Sequence, residues 1–522
     1  QPYWPAGPFK IRLPFVHYRW EFAEMVQALI MFVVSLAMIP LLEKYLGVPY
    51  DVALAYVVIC GIGFMLPALL GVPLIPGWIT PGIPVVLLFL GDYEPGPEAI
   101  KALFALQFLV FIIFLVLGVT RLGSKLVELI PRSMKGGIII GAGIMGASIA
   151  FQLSRQTDKQ IIVVDARQPV GGMSGRTFGQ IRQHYSNELM VELSIRGFDT
   201  FKNWSGKVGY GDPGYVRMGY MLLVAANQIE GLRRNVKLGQ RLGVDTRLVE
   251  PDEIKHIEPG LTVDGLTGGC YEPNGGYIDV TRMVLSWLGA AQAGGVRVMT
   301  PLLVSAIETH SGRVSGVVTD SGFIQAPIVV NATGAWGREL LSDLGLQVPM
   351  ERHRLDMSYI DILQQVSAIS GCVTDGVSNV VMRPHWGHSM LVAAYPPAPV
   401  LIDDPVLEVS DQEYQSHHQR ISRAFQERIP QLKDFSVLSN VSGAYDVTPD
   451  FHPILGWAPG IEGLCLAMGF SGHGLKLSPA IGEIISAMVL EQPPPIDVHA
   501  LRYERFAQND LMYLAYGPSA RA

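Results

Sequence analysis

"KGGIIIGAGIMGASIAFQLSRQTDKQIIVVDAR", residues 135–167, decides how this chain is read. The first half is almost free of charge and could pass for a membrane segment. The order of its pieces argues otherwise. A β-branched run, Ile138 to Ile140, leads at once into Gly141-Ala142-Gly143-Ile144-Met145-Gly146. A helical pattern then runs to residue 154, and a second β-branched run ends at Asp165. Strand, glycine turn, helix, strand and acid together form a dinucleotide-binding unit. Gly141 permits the tight turn, Gly143 lets the backbone approach a pyrophosphate, and Gly146 lets the helix pack against the strand. The helix N-terminus turns its free N–H groups towards the phosphates. Asp165 stands about twenty residues beyond the turn, placed to accept from ribose hydroxyls, with Ala166 and Arg167 beside it.

Upstream the sequence changes character. No Asp, Glu, Lys or Arg occurs between Asp51 and Asp92, and a transmembrane helix needs about 20 apolar residues. The spacing predicts four crossings, near 25–42, 52–70, 73–91 and 102–119, within a membrane region of residues 1–134. Lys10, Arg12 and Arg19 precede the first and Arg121, Lys125, Arg132 and Lys135 follow the last. Positive flanks prefer the cytoplasm, so an even number of crossings is expected, giving a multi-pass membrane protein with a cytoplasmic catalytic part. "GWITPGIPVV", residues 77–86, resembles the broken helices of a permease. Over all 522 residues, 49% are hydrophobic and 16% charged, a mixture that fits a membrane part joined to a soluble part of two lobes. A net charge of −7 with no basic run argues against a nucleic-acid partner. Cys60, Cys270, Cys372 and Cys465 form no CxxC pair and read as reduced, buried thiols, without a metal site.

The glycine turn alone does not choose between NAD and FAD. The following motifs do: "ARQPVGGMSGRTFGQIRQHYS" (166–186), "GGYIDVTRMV" (275–284), "APIVVNATGAWGREL" (326–340), "GAYDVTPDFHPILGW" (443–457) and "MGFSGHGLKLSPAIGEIISAMVL" (468–490). Over residues 137–490 the chain resembles the D-amino-acid oxidase and sarcosine oxidase superfamily, especially its sarcosine oxidase β-subunit branch. The resemblance implies an α/β fold: a Rossmann-type FAD-binding domain with an antiparallel-sheet substrate domain, behind the all-α membrane region. It implies a discontinuous FAD domain at 135–213, 273–349 and 435–492, a substrate domain at 214–272 and 350–434, and a surface extension at 493–522.

The resemblance also implies site residues. Ser174, Gly175, Arg176 and Thr177 would close over the FAD diphosphate; Ala332, Thr333, Gly334 and Trp336 would pass close to the cofactor. Gly472, His473, Gly474, Leu475 and Lys476 would meet the flavin where a helix begins, with Ser478 at the N-cap and Pro479 at the first helical position. Arg182 would bind a substrate carboxylate and Tyr445 would stand in the active site. Lys476 would either stabilise charge on reduced flavin or bind the carboxylate beside Arg182, and His473 would lie over the flavin or hold a tight turn. Arg383 is a second carboxylate candidate.

The chemistry so implied is oxidation of the C–N bond of a small, N-methylated or cyclic amino acid by hydride transfer to flavin N5. Two departures matter. Gly443 stands where some relatives carry the cysteine that attaches FAD, which predicts non-covalent FAD. No lysine occurs from Arg352 to Leu432, where some oxidases place one to activate oxygen. A dehydrogenase passing electrons to a quinone or protein acceptor fits better. Three other readings compete: a transporter regulated by a nucleotide, an NAD(P)-dependent dehydrogenase, and a flavoenzyme joined to an idle membrane piece.

Overall fold

The computed structural model describes residues 4–6, 9–11, 39–63, 89–90, 93–119, 136–362, 369–404, 409–432 and 434–512. The chain divides into two units, Gln1–Ile130 and Pro131–Ala522.

In the first unit Trp4–Ala6 pairs with Phe9–Ile11, and helices span Ile39–Leu46, Tyr50–Gly63 and Pro97–Val119. Among the described residues, no helix is long and apolar enough to cross a membrane. The four crossings, the multi-pass membrane location and the cytoplasmic placement that depended on them are therefore corrected. The expected segments 25–42 and 73–91 lie almost wholly outside the described residues. Of 52–70, the helix Tyr50–Gly63 is described, and its 14 residues rise about 21 Å against a hydrocarbon core of about 30 Å. In Pro97–Val119 the described side chains stop at Leu109 and include Glu98 and Lys101, ion-paired at 2.7 Å and well exposed. Apolar residues within those segments have another use: Leu42, Ala53, Val57 and Leu90 are buried with Leu46 and Ala99 in a small core.

The second unit is built on a six-stranded sheet. Arg297–Met299, Ile161–Val164, Gly137–Ile140, Ile328–Asn331 and Leu464–Met468 run parallel in that order, and Ile454–Trp457 adds an antiparallel edge. Runs such as "IIVV" (161–164) and "IVV" (328–330) are apolar throughout because strands of such a sheet are covered on both faces. Helix Ile144–Ser154 packs between helices Val280–Ala293 and Gly474–Val489. A Cβ on Gly482 would lie 2.2 Å from Ser148 Oγ, so the last helix crosses the first at a point open only to glycine. Ser148 Oγ also donates to the Ser478 carbonyl at 2.7 Å.

That last helix begins earlier than its sequence suggested. His473 is the N-cap, and Ser478 and Pro479 lie inside the helix, correcting the expected start. Pro479 has no N–H to give the Leu475 carbonyl; the Ser478 hydroxyl donates to it instead at 2.7 Å.

The large second sheet runs Val400–Leu401, Glu351–Asp361, Ser389–Ala394, Val380–Pro384, Cys372–Asp375, Tyr220–Val224, Gly268–Glu272, Arg247–Val249. Ser436–Val447, from the segment assigned to the cofactor lobe, pairs antiparallel along Glu351–Asp361 and so carries Tyr445 from one lobe towards the other. Between the sheets, Gln180–Ile181, Gly276–Tyr277 and Val216–Arg217 form a small ribbon that delivers Arg182. The segment after Gln492 is largely exposed but anchored at Val498, Leu501 and Arg505. Leu501 and Arg505 are fully buried, because Arg505 Nε and Nη2 reach the Asp450 carboxylate at 2.8 and 2.9 Å.

Candidate active site

Two cavities meet in the second unit. The first, about 790 Å³, follows the C-terminal ends of the parallel strands, where open α/β sheets bind their ligands. Gly141, Gly143, Ile144 and Met145 line it together with Asp165, Ala166 and Arg167. Gly141 has φ +113, and a Cβ there would stand 2.5 Å from the Ala332 carbonyl, so only glycine fits the turn. Asp165 Oδ2 accepts from Ala142 N at 2.7 Å and Oδ1 from Arg167 N at 2.9 Å; the acid braces the turn as well as facing the cavity. Ser174 Oγ accepts from Ile144 N at 3.1 Å, which puts the second glycine-rich loop over the helix N-terminus. Arg176 Nη1 donates to the Ser442 carbonyl at 3.0 Å. The Arg167 guanidinium lies 4.7 Å from the centre of the Trp336 ring.

The second cavity, about 600 Å³, lies under the large sheet. Thr177, Leu355, Tyr445, Gly472 and Leu475 line both cavities and mark where a ligand in one would touch a ligand in the other. Gly472, at φ +84, lets the loop pass the Tyr445 ring, where a Cβ would be 3.1 Å from the ring edge. Arg182, His473 and Lys476 line the second cavity alone, and each is at least nine-tenths buried. The Arg182 guanidinium sits 4.9 Å from the Tyr185 ring centre and 5.9 Å from that of Tyr220. Burial, then the neighbouring Arg182, pushes the Lys476 ammonium well below the usual lysine range, while Glu272 pulls the other way. Arg182 and Lys476 both line this cavity, where an anion would offset the buried guanidinium and favour the charged form of the lysine.

The comparisons agree with this geometry. The family description "FAD dependent oxidoreductase" matches residues 138–488. The chain belongs to that family. Its cofactor is FAD, and the first cavity fits it: a glycine turn a Cβ would fill, a helix N-terminus, and an acid at the second strand. Human mitochondrial sarcosine dehydrogenase is 25% identical over 71% of this chain and 41% of its own length. A bovine FAD-dependent oxidoreductase domain-containing protein 1 is 25% identical over 69% of this chain and 82% of its own. Among solved structures, L-proline dehydrogenase from P. horikoshii (24% identity, TM-score 0.66) aligns with 73% of this chain and 99% of that one. Glycine oxidase from Geobacillus kaustophilus (21% identity, TM-score 0.62) aligns with 71% and 99%. These two likenesses show the fold. The chain spans about two fifths of the length of sarcosine dehydrogenase, 41% in the human protein.

Within this FAD-dependent oxidoreductase most of the residues singled out in the sequence reach one of the two cavities. Thr177, Ala332, Thr333, Gly334, Trp336 and Gly474 line the FAD cavity with those already named. Ala142, Gly146 and Gly175 stand behind its wall: a Cβ on Gly146 would be 1.7 Å from the Gly141 carbonyl, and one on Gly175 2.3 Å from that of Val170. Arg383 lines neither cavity. Its Nε donates to the Phe178 carbonyl at 3.1 Å, its Nη1 to the Pro384 carbonyl at 3.1 Å, and its guanidinium covers Tyr277 at 4.0 Å. Gly443 lines the FAD cavity, and no cysteine is among the residues that do.

Sequence reasoning missed Glu272 and Asp446. Glu272 ends a strand, takes the Gln183 N–H on Oε2 at 2.8 Å and leaves Oε1 buried without a partner. Burial pushes its carboxyl up to about 7, against the Gln183 N–H and Arg182. Burial likewise lifts Asp446 to about 6, though backbone N–H groups, including Gly469 N at 2.8 Å, hold it down. Glu272 is followed by Pro273 and Asn274 and Asp446 by Val447 and Thr448, and neither stretch marks its acid out.

Proposed function

We propose that the protein oxidises the C–N bond of a small amino acid bearing an N-methyl group or a ring, of the sarcosine, dimethylglycine or proline kind. The observation that carries this reading is the pairing of buried Arg182 and Lys476 in a cavity that shares Tyr445, Gly472 and Leu475 with the FAD cavity. A carboxylate held by both cations fixes one end of the substrate, so its α-carbon is carried to the shared wall. Such positioning supplies roughly 7–11 kcal/mol of a barrier in the best intramolecular cases. Non-covalently bound FAD supplies the two-electron acceptor for the α-hydrogen. Lys476 Nζ, driven towards neutrality by burial and Arg182, takes a proton from the substrate ammonium and then meets the carboxylate as a cation. The amine keeps its lone pair for the bond that forms as the α-hydrogen leaves. Leu222, Val224, Val380 and Val381 keep water from the reacting carbon until the imine is released and hydrolysed.

Among the residues lining this cavity Lys476 is the sole lysine, which favours a dehydrogenase that passes electrons to a quinone or protein acceptor over an oxidase. The test is anaerobic: FAD-loaded protein is mixed in turn with sarcosine, dimethylglycine, proline and glycine while the flavin absorption is followed. Bleaching by an N-methylated or cyclic member, restored faster by an artificial electron acceptor than by air, is expected. An unchanged spectrum with all four would overturn the reading.

A further inference from the structure

We propose that Phe451 sets which substrates fit the second cavity, and that Arg505, far along the chain, positions it. This rests on the reading of that cavity as a substrate site. Phe451 has φ +59, a conformation that a bulky side chain adopts only under strain, and it lines the cavity. Ser471, at φ +51, lines it too. With Asn379 at φ +55, three non-glycine residues in the left-handed region line this cavity, and Phe451 and Ser471 come to it from two different loops.

The surroundings hold the turn of Phe451 from three sides. From within, Phe451 N donates to the Thr448 carbonyl at 3.0 Å, and Thr448 Oγ1 donates to the His452 carbonyl at 2.7 Å. From the neighbouring loop, Ser471 Oγ accepts from Thr448 N at 3.2 Å, tying the two strained residues together. From the C-terminal segment, Arg505 clamps the Asp450 carboxylate with two N–H groups and gives a third bond to the His452 carbonyl at 2.7 Å. Arg505 thus bonds to both neighbours of Phe451 in the sequence. Asp450 and Arg505 side chains are 1% and 0% exposed, so water does not compete for either. A left-handed Phe persists only where its surroundings fix it, and here the fixing groups include a planar, bidentate guanidinium that lysine cannot copy.

Phe451→Gly is the first variant to make, because glycine accepts φ +59 without strain and removes the ring; Phe451→Asn, which also tolerates that conformation, is the second. The holoenzyme is assayed with glycine, sarcosine and N-benzylglycine. We expect kcat/KM for N-benzylglycine relative to sarcosine to rise about tenfold or more in both variants. Arg505→Met is expected to shift the same ratio the same way, with Arg505→Lys only partly restoring it. An unchanged ratio in the Phe451 variants overturns the proposal; a lower melting temperature without a changed ratio in Arg505→Met overturns the part given to Arg505. Dissociation constants of acetate and phenylacetate, read from the flavin absorption, give the same answer without turnover. A flavin-loaded protein that oxidises no amine sinks the reading of the function, while these constants still decide the place of Phe451.

Discussion

Glu272 shows how a single side chain ties the site to the stability of the fold. Its carboxyl is buried beside Arg182 and Lys476, with Asp245 also acting on it, and titrates near 7 instead of 4.5. The folded protein therefore keeps a proton there that the unfolded chain has already lost. Its contribution to stability is fully present below pH 4.5 and is lost as pH rises to 7, about 3 kcal/mol in all. Glu272→Gln removes the titration. In urea unfolding of the two proteins, the free-energy difference should change by that amount in favour of the variant between pH 4.5 and 7 and then level off. Asp446, raised to about 6, titrates in both proteins and cancels from the difference. A difference that stays constant with pH would show that Glu272 is ionised throughout. Nothing in "GGCYEPNGG" announces this acid, because its neighbours Arg182 and Lys476 come from distant parts of the chain.

Elements were legible in the sequence where their requirements are local. The glycine turn at 141–146 could be placed because strand, turn, helix and acid lie within one short stretch, although only Gly146 is fixed from within it: a Cβ on Gly141 would meet the Ala332 carbonyl and one on Gly143 the Ser174 hydroxyl. The start of the last helix could not. A proline favours the first helical turn because its missing N–H costs nothing there, but Pro479 lies deeper, and the Ser478 hydroxyl replaces its missing bond. The crossing of that helix with Ile144–Ser154 was equally hidden. Ser148 and Gly482 are hundreds of residues apart, yet a Cβ on Gly482 would lie 2.2 Å from Ser148 Oγ and 2.9 Å from its carbonyl. Gly482→Ala should therefore destabilise the protein by about 1–3 kcal/mol, the range for overpacking. Adding Ser148→Ala should restore part of the loss, because the hydroxyl goes but the carbonyl stays. Thermal melts of the two single variants and the double variant check this; strictly additive losses would mean the helices separate freely instead of sharing one tight crossing.

At the scale of the molecule, apolar composition misled because two different burdens look alike in a sequence. Residues 52–91 lack charge as a membrane segment would, and the described part of that region instead buries Ala53, Val57 and Leu90 in a core shared with Leu42, Leu46 and Ala99. The tail "QPPPIDVHALRYERF" is polar and largely exposed, yet it anchors Leu501 and Arg505 in the second unit. All residues lining the two cavities fall between Ile140 and Lys476, and the groups that brace them fall between Ala142 and Met512. The second unit, Pro131–Ala522, therefore holds its own core, both cavities and the clamp on Asp450. Expressed alone, residues 131–522 should fold, bind FAD in a one-to-one ratio and show the same carboxylate-dependent change in flavin absorption as the full chain. Loss of FAD from the shortened protein, with its helix content kept, would instead assign residues 1–130 a part in holding the cofactor.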